Sequence, residues 1–308
     1  MRTEKCMLAK AGDEKKIEQM IASGNYSFER KYDGERGIIQ VTNMGNAPSE
    51  GIGWNVAIYN RSGKDISSQF PELKEMAENL PYGTYDGEIF VESNAQNKDK
   101  PTTAGRTGVN ASDAKLLGKV KPAHFRCFDV LEFEGEIDGG MYALWNVESK
   151  PYEYRKAILA RADFQNIKLF KVVFPEKDPL AVWNTIKANG DEGLVAKLKG
   201  STYQHCRSSN WVKLKTWREE DFSVIGFTSD KREVSALVLD NGMKVNCSLN
   251  TSAYNRFLAD LVKEGTMMKC ADGTMATKLK KTYTAKVKFL HKSGSGLRFP
   301  ILHELEGF

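Results

Sequence analysis

The strongest constraint on the fold lies at residues 26–41. Tyr26-Ser27-Phe28-Glu29-Arg30-Lys31 alternates in the manner of a strand, and residues 37–41 read as the returning strand. Asp33-Gly34 between them are residues that turn a chain back sharply. Lys31 is thereby expected at the turn between an outgoing and a returning strand. A lysine amine can attack a phosphate, and Arg36 returns a planar cation toward the same point. The run Lys31-Tyr32-Asp33-Gly34-Glu35-Arg36 thus has the makings of a site that carries a nucleotide covalently.

The pattern continues around it. Residues 13–23 place Ile17, Met20 and Ile21 at helical spacing before a Gly24-Asn25 stop. Strands are expected at 54–59, 84–91, 125–133, 193–198 and 211–216, and helices at 70–80, 152–162 and 180–189. Residues 94–122 are polar and read as a long insertion or loop. After Trp217 the character changes to short strands at 222–227, 235–239, 244–249, 267–270 and 283–290, with one helix at 253–264. That density suits a small Greek-key barrel of the OB type. The division falls into residues 1–217 and 218–308, with a hinge at 216–221 around Arg218-Glu219-Glu220-Asp221.

Charge matters here through its distribution. Lys plus Arg number 45 against 40 Asp plus Glu, so the total demands no polyanionic partner. Residues 273–303 nevertheless hold no acidic residue while carrying Lys278, Lys280, Lys281, Lys286, Lys288, Lys292 and Arg298. A second basic stretch, 98–126, includes Lys98, Lys100, Arg106, Lys115, Lys119 and Lys121. The five cysteines form no Cys-x-x-Cys, and His205-Cys206 has no partner at ligand spacing, so neither a disulfide framework nor a zinc site is indicated. The chain start lacks the apolar run of a signal peptide, and no run is long enough to span a bilayer. A soluble, reduced, intracellular protein is expected.

Six segments end strands with chemically useful residues, in this order: Glu29 to Arg36, Arg61 in Tyr59-Asn60-Arg61-Ser62-Gly63, Asp86-Gly87-Glu88, Phe128-Asp129-Val130-Leu131, Glu192-Gly193-Leu194-Val195-Ala196-Lys197, and Lys213-Leu214-Lys215. Singly each is a turn or a solvated face. Together, their order and spelling resemble the nucleotidyltransferase motifs of ATP-dependent DNA ligases, of the compact kind found in bacteriophages and as accessory bacterial enzymes. Met7-Leu8-Ala9 also resembles the segment preceding the nucleophile in that family.

The resemblance implies an α+β architecture: an antiparallel-sheet, ATP-grasp-like nucleotidyltransferase domain followed by an OB-fold barrel. It implies ATP as cofactor, with Mg²⁺ or Mn²⁺, and nicked duplex DNA as partner of a monomeric enzyme. Lys31 would take AMP from ATP as a phosphoramidate, Lys213 and Lys215 would neutralise the α-phosphate, and Glu88 and Glu192 would bind the metal. Phe128 would stack on adenine and Glu29 would lie near its edge. Arg36, Arg61 and Glu88 would reach ribose or phosphate, with Lys197 facing the same pocket and Asp33 shaping the turn.

Two departures stand out. Many DNA ligases finish with an Arg-x-Asp-Lys element that helps orient pyrophosphate; here Gly296-Leu297-Arg298-Phe299-Pro300 approaches it and the element itself is not spelled, so that either Arg298 or Lys292 substitutes or the ATP-activation step is organised differently. The nucleophile also lies close to the chain start, ahead of which NAD-dependent ligases hold a nicotinamide-gripping domain and larger ligases a DNA-binding domain. ATP is favoured on that ground, and the grip on DNA is expected from the 94–122 insertion, Arg106 included, and from the basic residues 278–298. Alternatives are an RNA ligase or an mRNA capping guanylyltransferase of the same superfamily, and an inactive nucleic-acid-binding module.

Overall fold

The computed structural model describes residues 5–43, 54–91, 106, 108–136, 139–161, 164–261, 266–293 and 296–307. The chain divides into two compact units, Met1–Lys215 and Thr216–Phe308.

The first unit holds two sheets. One has the order Leu8–Ala11, Arg207–Lys215, Gly193–Leu198, Tyr26–Lys31. The other runs Trp54–Asn60, Glu35–Asn43, Gly83–Val91, Ala123–Gly135, Ala143–Asn146, with Phe170–Val172 alongside Ala123–Gly135. The second sheet is continuous in sequence and is inserted between the strands of the first. Period-2 alternation decides which face each residue takes. In the first sheet Phe28, Leu194, Ala196 and Leu214 face one way and pack with Ile17, Trp183 and Ile186 of the flanking helices. Those helices are Ile17–Ala22 and Pro179–Asn189, the latter closed by Gly190 in the left-handed conformation. In the second sheet Ile39, Val41, Tyr85, Ile89 and Phe125 join a large core with Phe70, Leu73 and Met76 from around the Pro71–Ala77 helix. Between the opposite faces of the two sheets lies a smaller cluster of Met7, Leu131, Tyr203 and Trp211, with Phe128 and Val195 against it.

The second unit is a sheet in the order Lys244–Leu249, Glu233–Leu239, Arg218–Asp230, Met275–Phe289, Met267–Lys269, with Ile301–Leu305 also on Met275–Phe289. Helix Thr251–Ala259, capped by the Asn250 side chain, contributes Phe257 to its core.

Several expectations need correction. The strands on either side of Asp33-Gly34 do not pair with each other: Tyr26–Lys31 lies against Gly193–Leu198, whereas Glu35–Asn43 lies between Trp54–Asn60 and Gly83–Val91 in the other sheet. The 94–122 segment is not all loop: Ala111–Val120 is a helix capped by Asn110, while Lys98 and Lys100 lie outside the described residues. Of the residues 216–221 expected as a hinge, Arg218–Asp221 pair as strand with Lys286–Phe289, and only Thr216-Trp217 lie outside a strand. Met275–Phe289 is one strand of 15 residues rather than a short one beginning at 283. The strands Leu8–Ala11, Ala143–Asn146, Phe170–Val172 and Ile301–Leu305 are further elements. Each is short and flanked by non-periodic sequence, which hides it from a pattern reading.

Candidate active site

Directly opposed residues of an antiparallel pair share a face, so register alone sets three rows across the first sheet. Lys31, Gly193 and Lys215 form one, Glu29, Val195 and Lys213 the next, and Ser27, Lys197 and Trp211 the third. Glu192 precedes Gly193 and is drawn into the first row: Lys31 Nζ donates to Oε2 at 2.8 Å and Lys215 Nζ lies 3.0 Å from Oε1. One carboxylate therefore sits between two amines. The row is tight because Gly193 adopts φ 143°, and a Cβ there would collide with the Leu214 carbonyl.

The facing sheet supplies Arg36, Glu88 and Asp86 in register. Asp86 is fully buried and takes Arg36 Nε and Nη2 in a bidentate pair at 2.5 Å each. It also accepts from Tyr203 Oη at 2.7 Å, while Arg36 Nη2 donates to the Met7 carbonyl at 3.1 Å and Met7 N–H donates to Tyr203 Oη at 2.9 Å. The Met7 segment is thereby built into the site. Glu88 accepts from the Gly34 amide at 3.2 Å, and a Cβ at Gly34 would run into the Ile89 carbonyl, so this turn needs glycine to approach that strand. Burial pushes the Glu88 carboxyl up to about 7; Lys31 and Arg36 pull it down, and the Glu192 charge adds to the rise.

Phe128 is half-buried, with Trp211 edge-on at 5.8 Å between centroids and the Arg36 guanidinium 4.6 Å from its ring centre. Below it, Glu29 is drawn fully inward instead of being left at an open edge. Its Oε1 meets Lys156 Nζ at 2.7 Å and Tyr152 Oη at 2.6 Å, and its Oε2 meets Lys197 Nζ at 2.7 Å. Burial opposes the Glu29 charge, yet Lys156 and Lys197 outweigh it and hold the carboxyl below its ordinary value. Burial pushes the Lys197 amine down to about 8, partly offset by Glu29 and reinforced by the like charge of Lys156.

Lys213 is surrounded by like charges. Burial lowers its amine, and the neighbouring Lys215, Arg207, Lys31 and Arg61 lower it further. Such a concentration of positive charge favours the neutral form of an amine and attracts phosphate oxygens.

The structure thus gathers Glu29, Lys31, Arg36, Arg61, Glu88, Phe128, Glu192, Lys197, Lys213 and Lys215 around the first unit's two sheets. Arg106 does not lie on an exposed basic face, as a DNA contact would require: it is 3% exposed, pairs with Glu72 at 2.6 Å and donates to the Gln69 and Lys121 carbonyls. The stretch 273–303 is acid-poor in sequence only. In the fold Glu304 lies 3.2 Å from Lys286, Glu219 lies 3.6 Å from Lys288 and Glu220 lies 2.5 Å from Lys292. Lys278, Lys280 and Lys281 remain exposed, and Arg298 lies over Phe299.

Sequence reasoning missed the helix Tyr152–Leu159 as part of the site. Tyr152, Arg155 and Lys156, at i, i+3 and i+4, fall on one helix face and are all buried. Arg155 forms a bidentate pair with buried Asp129 at 2.7 and 2.9 Å. The available signal was an arginine and a lysine on the side of the helix that also carries the apolar Ile158 and Leu159.

Two carboxylates and a crowd of cations around one amine are suited to nucleotidyl transfer. Residues 6–215, more than half of the chain, match the family described as the ATP dependent DNA ligase domain, and the chain belongs to that family. The SPbeta prophage-derived DNA ligase-like protein LigB of Bacillus subtilis is 26% identical over 227 residues, covering 72% of each chain. DNA ligase C1 of Mycolicibacterium smegmatis is 27% identical over 233 residues, which span 73% of this chain and 60% of that one. The match spans only 36% of the bifunctional non-homologous end joining protein LigD of Bacillus subtilis. Among solved structures, the ligase domain of Mycobacterium tuberculosis LigD superposes with a TM-score of 0.53 at 22% identity, over 98% of this chain and 95% of that one. A Lig E DNA ligase gives 0.59 at 15% identity, over 99% and 100%. The latter two show a shared mixed α+β ligase fold.

Proposed function

We propose that this chain seals breaks bearing a 5′-phosphate and a 3′-hydroxyl in duplex DNA, through a covalent Lys31–AMP. The observation that carries this reading is Lys31 Nζ at the strand end, 2.8 Å from Glu192, in one row with Lys215 and beside Lys213. In the first step the Lys31 amine, its proton passed to solvent or to Glu192, attacks the α-phosphorus of ATP. A P–N bond forms, the α–β anhydride breaks and pyrophosphate leaves. An oxygen of the 5′-phosphate at the nick then attacks the same phosphorus, and Lys31 is released. Finally the 3′-hydroxyl oxygen attacks the 5′-phosphorus, closing the phosphodiester and expelling AMP. Lys213 and Lys215 offset charge on the transferring phosphate, Phe128 stacks on adenine, and Arg36 and Arg61 reach ribose and phosphate.

Among the described residues no group of three or more His, Cys, Asp or Glu stands together. The two carboxylates Glu88 and Glu192 suit Mg²⁺ or Mn²⁺, because such an ion is commonly held by one or two carboxylates together with substrate phosphates. When bound it would supply Lewis-acid stabilisation of the phosphate. The second unit is read as an OB-fold barrel, on its short strands and single helix, joined through Thr216-Trp217. A monomer acting on nicked DNA in the cytoplasm, in replication, repair or recombination, completes the proposal. No helix among the described residues is long and apolar enough to cross a membrane.

Incubation with α-labelled ATP and Mg²⁺ tests it. Labelled protein is expected with the native chain and none with Lys31→Ala. Equal labelling of both, or labelling by GTP in place of ATP, overturns the assignment. Nick substrates with DNA or RNA strands on either side of the break separate it from RNA ligation.

A further inference from the structure

The carbonyl of Phe128 is held by two lysines at once. Lys156 Nζ donates to it at 2.8 Å and Lys197 Nζ at 2.9 Å. Lys156 spends its other donors on the Val173 carbonyl at 2.7 Å and on Glu29 Oε1 at 2.7 Å. An ammonium has three donors, so every one of them is committed, and the three acceptors belong to three separate segments. The Val173 amide in turn donates to the Cys127 carbonyl at 2.7 Å, tying that loop to the residue just before Phe128. Lys156 itself comes from a fourth segment, the helix Tyr152–Leu159, which is anchored by the Arg155–Asp129 pair one residue beyond Phe128. Residues 127, 128 and 129 are thereby each fixed from outside their own strand.

We infer that Lys156 is a positioning residue that sets the pose of the Phe128 ring. This rests on the reading of Phe128 as the adenine-stacking residue. The lysine is 8% exposed and does not itself reach substrate; it acts through the Phe128 backbone. Lys197 cannot replace it, because Lys197 sits on the first sheet and holds the carbonyl from the opposing strand layer, whereas Lys156 fixes it to the Val173 loop. Without Lys156 the carbonyl keeps one donor and the Val173 tie is lost, so the ring samples poses in which it no longer lies flat on the base.

The consequence is selective. A ring that stacks on a base affects ligands that carry the base and leaves ligands made only of phosphates alone. Base–aromatic stacking supports about a tenfold or greater effect on affinity. The test measures KM for ATP in Lys31 adenylylation, and inhibition by inorganic tripolyphosphate, in the full chain. Lys156→Met is expected to raise KM for ATP about tenfold, to leave kcat nearly unchanged and to leave tripolyphosphate inhibition unchanged. Since Lys156→Met removes one of the two lysines that pair with buried Glu29 and can impair folding, the charge-balanced double variant Glu29→Gln/Lys156→Met is compared with Glu29→Gln alone, and the same selective rise is expected between those two. An unchanged KM for ATP, or equal weakening of ATP and tripolyphosphate, overturns the inference. Phe128→Leu distinguishes the underlying reading: if it leaves KM for ATP unchanged, Phe128 is not the stacking residue and the inference falls with it. If Phe128→Leu raises KM and Lys156→Met does not, only the role of Lys156 is refuted.

Discussion

Two strands of this chain carry the same motif of a lysine on either side of an aliphatic residue. Lys213-Leu214-Lys215 ends the strand Arg207–Lys215, and Lys286-Val287-Lys288 lies in the strand Met275–Phe289. Both bury the aliphatic residue and turn the lysines to the other face. Their surroundings differ. Around Lys213 the charges that act on it are Lys215, Arg207, Lys31 and Arg61, and the nearby Glu192 is taken by Lys31 and Lys215. Around the second pair each lysine meets its own acid, Glu304 or Glu219. Positive charge is accumulated in one place and cancelled in the other. What a lysine pair can do for a phosphate is set by which strands the fold lays beside it.

The largest expected effect breaks the comparison directly. Lys213→Met and Lys215→Met should each slow formation of labelled protein by about 100-fold or more, because preorganised charge at a transferring phosphate contributes on that scale. Lys286→Met and Lys288→Met should leave the same rate within about twofold. Rapid-quench measurement of adenylylation compares all four, and equal losses in both pairs would remove the distinction.

Next is Arg106, whose sequence context resembles the exposed lysines and whose environment does not. Removing one member of a buried pair leaves the other uncompensated, so Arg106→Met should lower stability by about 3 kcal/mol. The salt dependence of DNA binding should not change. A denaturation series checks the first, and DNA affinity at several salt concentrations checks the second.

Glu88 sharpens the acid side of the site. Its folded-state carboxyl is pushed up to about 7, above its ordinary value. Between roughly pH 4.3 and 7 the folded state therefore holds a proton that the unfolded chain has released, and stability falls as pH rises through that window. Glu88→Gln should gain about 1–2 kcal/mol over the native chain at pH 8 and nothing at pH 4. Denaturation of both proteins in the presence of a chelator decides it; a gain that grows toward low pH would contradict the sign.

The smallest effect concerns the cancelled charges. Glu219→Gln/Glu304→Gln should unmask Lys286 and Lys288, tighten DNA binding a few-fold at low salt and steepen its salt dependence. An unchanged slope would mean that this face does not meet DNA.

Much of the site was legible because its motifs are spelled out: the resemblance to ATP-dependent DNA ligases singled out Lys31, Glu192 and the Lys213–Lys215 pair, and the strand pattern at 26–31, 193–198 and 211–216 put them at strand ends. The register that brings them into one row comes from the fold. The rest depended on tertiary neighbours that no local pattern encodes. Lys156 and Arg155 look like ordinary polar positions on a helix until Asp129 and the Phe128 carbonyl are brought under them. Arg106 reads as one more cation in a basic stretch until Glu72, Gln69 and Lys121 enclose it. The acids that cancel Lys286, Lys288 and Lys292 come from residues 219–220 and 304, which are distant from those lysines in sequence or beyond the stretch counted. The helix Ala111–Val120 was hidden because its apolar residues form no buried stripe: Ala114 is buried, while Leu116 and Val120 are exposed.

The order in which the two sheets can form differs. The sheet of strands Glu35–Asn43 through Phe170–Val172 is contiguous in sequence, so a ribosome could release it for folding while later residues are still being added. The sheet that bears Lys31 pairs Tyr26–Lys31 with Gly193–Leu198, and Leu8 with Arg207. It cannot close until the chain has been made almost to residue 215. A partly synthesised or truncated molecule therefore displays Lys31 without Glu192, Lys213 or Lys215 around it. The chemistry is withheld until the first unit is whole, and fragments that end short of that point should be unable to trap a nucleotide.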